Sequence, residues 1–416
     1  MEISPVMSAR MLSAAAVLRF AWDLEAFTAS DAMADTGLTR STVIGLCDEL
    51  LERGWLVELA DARVHGSHYR KGRPARRYAF AAHRAAVVGV DAGVHTVTTQ
   101  VCDLRGARLA HMRDDLVGDS PAAEERIAAI ESSLEHALST AGLTRADVEC
   151  VVVGVPAPAD AQGVSPAGPD GFWRNMNPDL CAHLDSQGLA ALVENDANLA
   201  AIAEGAVGDG VGIDSFITLL AGERMGAGLV VDGRLLRGAR GGAGESHPLD
   251  QIAGVGNADG IGALAREWAL EARASGKLPV TSALMKLVDD EVTAMAVFQL
   301  AQKGDPTASE ILGRLAERLA RISAVLSGFL DVDRIIVAGG IAESLGPLLE
   351  RASVQLRDLS HLQPPVLIAS GLGTEVVTLG AIRRGITWVK EGLPSLISES
   401  PLVSRASDQG THTATG

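Results

Sequence analysis

One pattern occurs twice in this chain, and it constrains the fold more than any other feature. Val87-Val88-Gly89-Val90-Asp91-Ala92-Gly93 reads as a buried strand entering a glycine turn, and Thr96 to Asp103 alternates as the strand that leaves it. From Ser215 the pattern returns. Ser215 to Leu220 enters a turn at Ala221 to Met225, Gly226 to Asp232 leaves it, and Gly233-Arg234-Leu235 follow. Each copy leads into a crossover: a helix over Ala122 to Ala141 before the strand Val151 to Val155, and an amphipathic helix over Ala308 to Leu330 before Arg334 to Gly340. The repetition predicts two related α/β lobes, with strand ends and glycine turns facing each other across a ligand cleft. At 47% hydrophobic and 21% charged residues, the composition supplies such cores and excludes disorder along the whole chain.

Ahead of the lobes the periodicity is helical. Leu12, Ala15, Ala16, Leu18, Ala21 and Trp22 line one face of a helix over Ser8 to Phe27. Thr28, Ser30 and Asp31 open a second helix that ends at Gly37, and Leu38-Thr39-Arg40-Ser41-Thr42-Val43 opens a third that runs to Arg53 and stops at Gly54. Trp55 to Leu59 and Arg76 to Phe80 alternate as a hairpin, with Arg70-Lys71-Gly72-Arg73-Pro74 between them. Two helices around a glycine turn, followed by a basic hairpin, predict a winged helix-turn-helix over residues 1–82. Thr39, Arg40, Ser41 and Thr42 then face a major groove, while Arg70, Lys71, Arg73 and Arg76 reach phosphates or the minor groove. The bland alternatives are a protein-docking module and a solvated linker.

Net charge separates these parts. The whole chain carries −16, which argues against nucleic acid. Residues 1–84, however, hold 11 basic and 10 acidic side chains, while the remainder holds 25 and 42, a net of −17. Residues 62–84 contain seven Lys or Arg and no Asp or Glu. An acidic body therefore carries a near-neutral head with a basic wing.

No apolar run approaches the ~18 residues of a membrane span, and the N-terminus has no secretory pattern, so a cytoplasmic chain with no membrane partner is expected. Cys47, Cys102, Cys150 and Cys181 are widely spaced, with no pair at zinc-ligand distance. Residues 391–416, rich in Ser, Thr, Pro and Gly, read as a disordered tail.

These pieces resemble the ROK family of bacterial sugar-responsive repressors and sugar kinases. The resemblance covers about residues 8–390 and rests on Val193-Glu194-Asn195-Asp196-Ala197-Asn198, Gly226 to Gly233, Gly241-Gly242-Ala243-Gly244-Glu245 and Ile336 to Ile341. It implies an actin-like ATPase/hexokinase-type fold over 83–390, with lobes at about 83–200 and 201–370 and a last helix returning to the first lobe. Leu38 to Val43 and Gly72-Arg73-Pro74 are similar to the DNA-binding module of the repressor branch, which the family's kinases usually lack.

In the kinases the Asp of the Asn-Asp pair is the general base, and that position is Asp196 here; Asn195 and Asp196 also read as helix caps. The family's phosphate loops are altered. Asp-x-Gly-Gly-Thr has become Asp91-Ala92-Gly93-Val94-His95, and Gly-Thr-Gly has become Gly222-Glu223-Arg224. A carboxylate at Glu223 repels phosphate, and pairing of Glu223 with Arg224 leaves the loop equally unsuited. The zinc pattern of one His and three Cys is missing: Gly244-Glu245-Ser246-His247-Pro248 displaces the His by one residue, and 254–262 has no Cys. No zinc and no ATP are therefore expected, and no catalytic residue. Asn195, Asp196, Glu245, His247, Trp173 and Asn175 remain as a ligand set.

Together these readings favour a non-catalytic, sugar-responsive repressor of carbohydrate-metabolism genes, with operator DNA and a sugar or sugar-phosphate effector as partners, acting as a homodimer or tetramer. The alternatives are an ATP-dependent sugar kinase with an appended DNA module and an effector-free DNA-binding scaffold.

Overall fold

The computed structural model describes residues 5–60, 75–116, 122–168, 171–276 and 278–399. It begins with α1 (Pro5–Ala21), β1 (Phe27–Thr28), α2 (Ala29–Thr36), α3 (Arg40–Glu52), β2 (Leu56–Leu59) and β3 (Arg77–Phe80). Local chemistry sets the helix ends. The Thr28 backbone N–H donates to Asp31 Oδ2 at 2.8 Å while Thr28 Oγ1 accepts from the Asp31 N–H, a reciprocal cap on α2. Gly37, at φ 69°, closes α2 in the left-handed region, and Thr39 caps α3. The hairpin pairs as expected, but β3 is central: β1 adds to its other side, in the order β1-β3-β2.

Two five-stranded sheets follow. The first lobe contains β4 (Ala86–Ala92), β5 (Thr96–Asp103), β6 (Arg108–Asp115), α4 (Ala123–Ala141), β7 (Val148–Val155), α5 (Phe172–Met176), α6 (Leu180–Ser186) and β8 (Ala191–Asn195). Then α7 (Asp196–Val207) crosses to β9 (Phe216–Leu220), β10 (Gly226–Val231), β11 (Arg234–Leu236), α8 (Ile261–Ala274), α9 (Ala294–Gln302), α10 (Pro306–Leu330), β12 (Arg334–Ala338), α11 (Gly346–Leu359) and β13 (Val366–Ala369). Strand orders are β6-β5-β4-β7-β8 and β11-β10-β9-β12-β13. In each sheet an antiparallel meander of three strands continues through parallel crossovers to two more. The repeated sequence pattern is thus a repeated topology, and the chain has the actin/hexokinase-like architecture behind an N-terminal helical region.

Helix α12 (Val376–Glu399) returns to the first lobe. It lies so close to α7 that a Cβ at Gly380 would stand 1.9 Å from the Leu199 carbonyl oxygen. Its last turns correct an expectation: residues 391–399 are helical, not tail, because Val389, Leu393 and Ile397 recur at helical spacing and all are fully buried. Residues 400–416 lie outside the described residues. Among the described residues no helix is long and apolar enough to cross a membrane.

Candidate functional site

The N-terminal face presents the first turn of α3. Arg40 and Ser41 are exposed there. Thr39 and Thr42 are committed locally: their hydroxyls lie 2.9 Å apart, and Thr39 Oγ1 also receives the Thr42 N–H. Arg76 is held by two carboxylates. Its Nε and Nη2 donate to the two oxygens of Glu58, each at 2.8 Å, and Nη1 donates to Asp48 at 2.6 Å. Arg70, Lys71 and Arg73 fall outside the described residues.

The second location is the interlobe cleft, a cavity of about 340 Å³. Its walls include Asp91 near the end of β4, His95 from the β4–β5 turn, Arg113 from β6, Asp196 from α7, and Glu223 and Arg224 from the β9–β10 turn. Asn195 caps α7 by accepting the Asn198 N–H at 3.1 Å, and its amide donates to the Ala157 carbonyl at 3.2 Å. One amide N–H and one carbonyl lone pair of Asn195 are thus engaged. Asp196 follows as the first helical residue and takes the Ala197 N–H at 2.7 Å.

Asp91, Asp196 and Glu223 line this cleft, and Glu245 stands near enough for its charge to act on Asp196. Burial, reinforced by the charge of Asp91, pushes Asp196 up to about 8. Burial raises Asp91 to about 6 against the opposing pull of Arg126 and Arg113. Glu245 is raised by burial too, with Arg224 and His247 acting the other way. Beneath them lies Arg126, fully buried, donating to the carbonyls of Gly93 at 2.8 Å, Met176 at 2.9 Å and Ala92. One guanidinium thus ties the first glycine turn to the end of α5. Sequence reasoning missed Arg126 because it stands in a crossover helix, 33 residues from the turn it holds.

At the mouth, Trp173 on α5 faces His247 with ring centroids 6.4 Å apart, while Asn175 is exposed. Glu223 does not pair with Arg224. It forms a two-pronged ion pair with Arg266 on α8, 3.0 Å on each side, and Arg224 reaches across to the Phe172 ring at 4.6 Å. A second link crosses nearby: Arg237 Nε donates to Glu194 Oε2 at 2.7 Å.

The zinc pattern of the resemblance finds no donor set here. Among the described residues no group of three His, Cys, Asp or Glu could hold a metal ion. The segment in question is held instead by buried Arg318 of α10, which donates to the carbonyls of Val255 and Asn257, each at 2.7 Å.

Comparison with known proteins gives consistent matches. The profile of the ROK family matches residues 87–383. The chain is 25% identical over 334 residues to the xylose repressor of Caldicellulosiruptor bescii, covering 75% of this chain and 78% of that one. It is 31% identical over 228 residues to the bifunctional enzyme NanE/NanK of Brucella suis, 52% of this chain but only 41% of that enzyme's length. Among solved structures, a ROK family transcriptional regulator homologous to the E. coli MLC protein superposes with a TM-score of 0.72 at 20% identity, covering 94% of this chain and 99% of that one. A ROK family glucokinase from Streptomyces griseus, in complex with glucose and AMPPNP, superposes with a TM-score of 0.60 at 25% identity, covering 73% of this chain and 100% of that one.

Proposed function

The chain belongs to the ROK family, and from that premise we propose that it is a transcriptional regulator, a sugar-responsive repressor of carbohydrate-metabolism genes. Residues 1–82 bind operator DNA as part of a homodimer or tetramer. The interlobe cleft takes a sugar or sugar phosphate and does not phosphorylate it. The observation that carries this reading is the N-terminal pair of capped helices around Gly37, with Arg40 and Ser41 exposed at the start of α3. The breadth of the superpositions supports it. The regulator covers 94% of the chain and the glucokinase 73%.

The second glycine turn supports the non-catalytic part. Glu223 is anchored to Arg266, and Arg224 is laid across the cleft, so the turn offers a carboxylate and a bulky side chain where a phosphate loop needs open backbone N–H groups. Burial and the charge of Asp91 push the Asp196 carboxyl up to about 8, and in its protonated form it donates a hydrogen bond to a sugar oxygen. Ligand closure of the lobes changes the separation of paired modules, which must match half-sites ~34–36 Å apart or a multiple of that.

The deciding measurement is binding to the DNA upstream of the protein's own coding region, titrated with sugars, sugar phosphates and salt. Salt-sensitive binding released by one sugar supports the reading; no binding to that duplex removes it. The kinase reading retains one favourable feature, an aspartate at a helix start lining the cleft. Sugar-dependent release of ADP from ATP and magnesium, abolished by Asp196→Asn, would establish it.

A further inference from the structure

We propose that Arg76 is a positioning residue, the strut that fixes the recognition helix against the wing hairpin, and that among the described residues DNA contact falls to the first turn of α3 and the start of α2. This rests on the DNA-binding reading above. Three elements meet at the guanidinium. Arg76 immediately precedes β3, Glu58 lies on β2, and Asp48 lies two turns into α3. The Glu58 pair is two-pronged and the Asp48 contact is 2.6 Å, so three of the five guanidinium N–H groups point at carboxylates. Tyr78 completes the seat, its ring centroid 5.3 Å from the guanidinium carbon.

The charge count opposes phosphate contact. Two carboxylates around one guanidinium leave the cluster net negative, and Glu52 adds a negative charge at the end of α3, where Glu49 is paired with Arg10 and Arg53. A DNA backbone laid along that part of the helix meets repulsion. Among the described residues, a hollow between the helix starts and the hairpin offers an approach from the other end of the helix, and Thr28, Ser30, Arg40 and Ile44 line it together with Arg76 and Tyr78. The helix therefore enters the groove by its N-terminal turn, at an angle set by the Arg76 cluster, while Arg40 reads and Arg76 holds.

Full-length protein, the upstream duplex and a random duplex of equal length test this by fluorescence anisotropy over a series of salt concentrations. For a strut, Arg76→Met weakens binding to the upstream duplex about tenfold, changes random binding less than about twofold, and leaves the log–log salt slope unaltered. If Arg76 instead contacts a phosphate, both duplexes weaken alike and the slope falls by about one, which overturns the proposal. Glu58→Gln gives opposite signs without removing the arginine. A strut loses discrimination, so the upstream-to-random affinity ratio drops; a phosphate ligand set free raises both affinities and keeps the ratio. Wild-type protein that binds neither duplex removes the DNA-binding reading itself, and the strut with it.

Discussion

The molecule has two joints, and they are built from different chemistry. Between the N-terminal module and the first lobe the joint is apolar and continuous: Trp22, Phe80, Leu104, Leu393 and Ile397 belong to one buried cluster that runs on through Ile382 to Val377 at the cleft. Hydrogen bonds pin its edges. Arg53 donates to the Ile397 carbonyl, Arg19 to that of Lys390, and Trp22 Nε1 to that of Leu104. Between the lobes the joint mixes polar and apolar contacts. The large core of the second lobe, from Ile217 to Leu367, contains no residue of the first lobe, and Arg237 with Glu194 and Arg224 over Phe172 cross between them. The apolar part is smaller: Ala338 of β12 joins the cluster of α7 and α12, and Ala201 of α7 meets Phe216, Val230 and Ile336. Apolar area resists separation in proportion to its extent, whereas a few polar links exchange readily with water. The module therefore moves with the first lobe, and relative motion belongs between the lobes.

Substitutions at the two joints should separate their behaviour. The largest effect is expected at Leu393, fully buried in the module joint: Leu393→Ala should cost about 2–5 kcal/mol in urea unfolding. Module and first lobe should lose structure in one transition. A separate early transition for the module would break the comparison.

The cleft comes next. Asp196 holds its proton up to about 8, against an ordinary value of 3.8, so between those values the native state binds a proton that the unfolded chain has released. Its contribution therefore declines as pH rises from about 4 through about 8. Asp196→Asn should match wild type near pH 4 and melt roughly 2–4 °C higher at pH 8. Melting curves that keep the wild-type pH dependence would show that Asp196 is ionised in the native state.

The smallest effect is expected at Arg237. Its guanidinium is part-exposed, so Arg237→Ala should lower the melting temperature by only about 2 °C, while the radius of gyration in solution rises as the lobes part. A large loss of stability with unchanged dimensions would make the joint between the lobes as rigid as the module joint.

What the sequence made legible follows from how local each signal is. The cap at Thr28 and the turn at Gly37 act within four residues, and they are readable; the cap at Thr39 is not, since the same residue reads equally as a groove contact. So were both strand-turn-strand copies, because each strand is a dense apolar run. β1 was not, since two residues become a strand only through Tyr78 and Arg77 opposite them. The end of α12 was obscured by its Ser, Pro and Gly content, although Val389, Leu393 and Ile397 already stood at helical spacing. In the candidate sites, residue types were legible and partners were not. Nothing near Arg76 in the chain announces Asp48, 28 residues earlier, and nothing near Glu223 announces Arg266, 43 residues later.

The seat of the N-terminal module on α12 also orders events during synthesis. Arg19 and Arg53 leave the ribosome early, yet their carbonyl partners lie 371 and 344 residues further along the chain. Until α12 emerges, Trp22 and its neighbours have no complete partner surface, and contacts of such separation form late because the loop they close is so long. Docking of the module is accordingly a final step of folding. Nascent or truncated chains have no seat for the module, so competence of the head reports that the whole body behind it has been made.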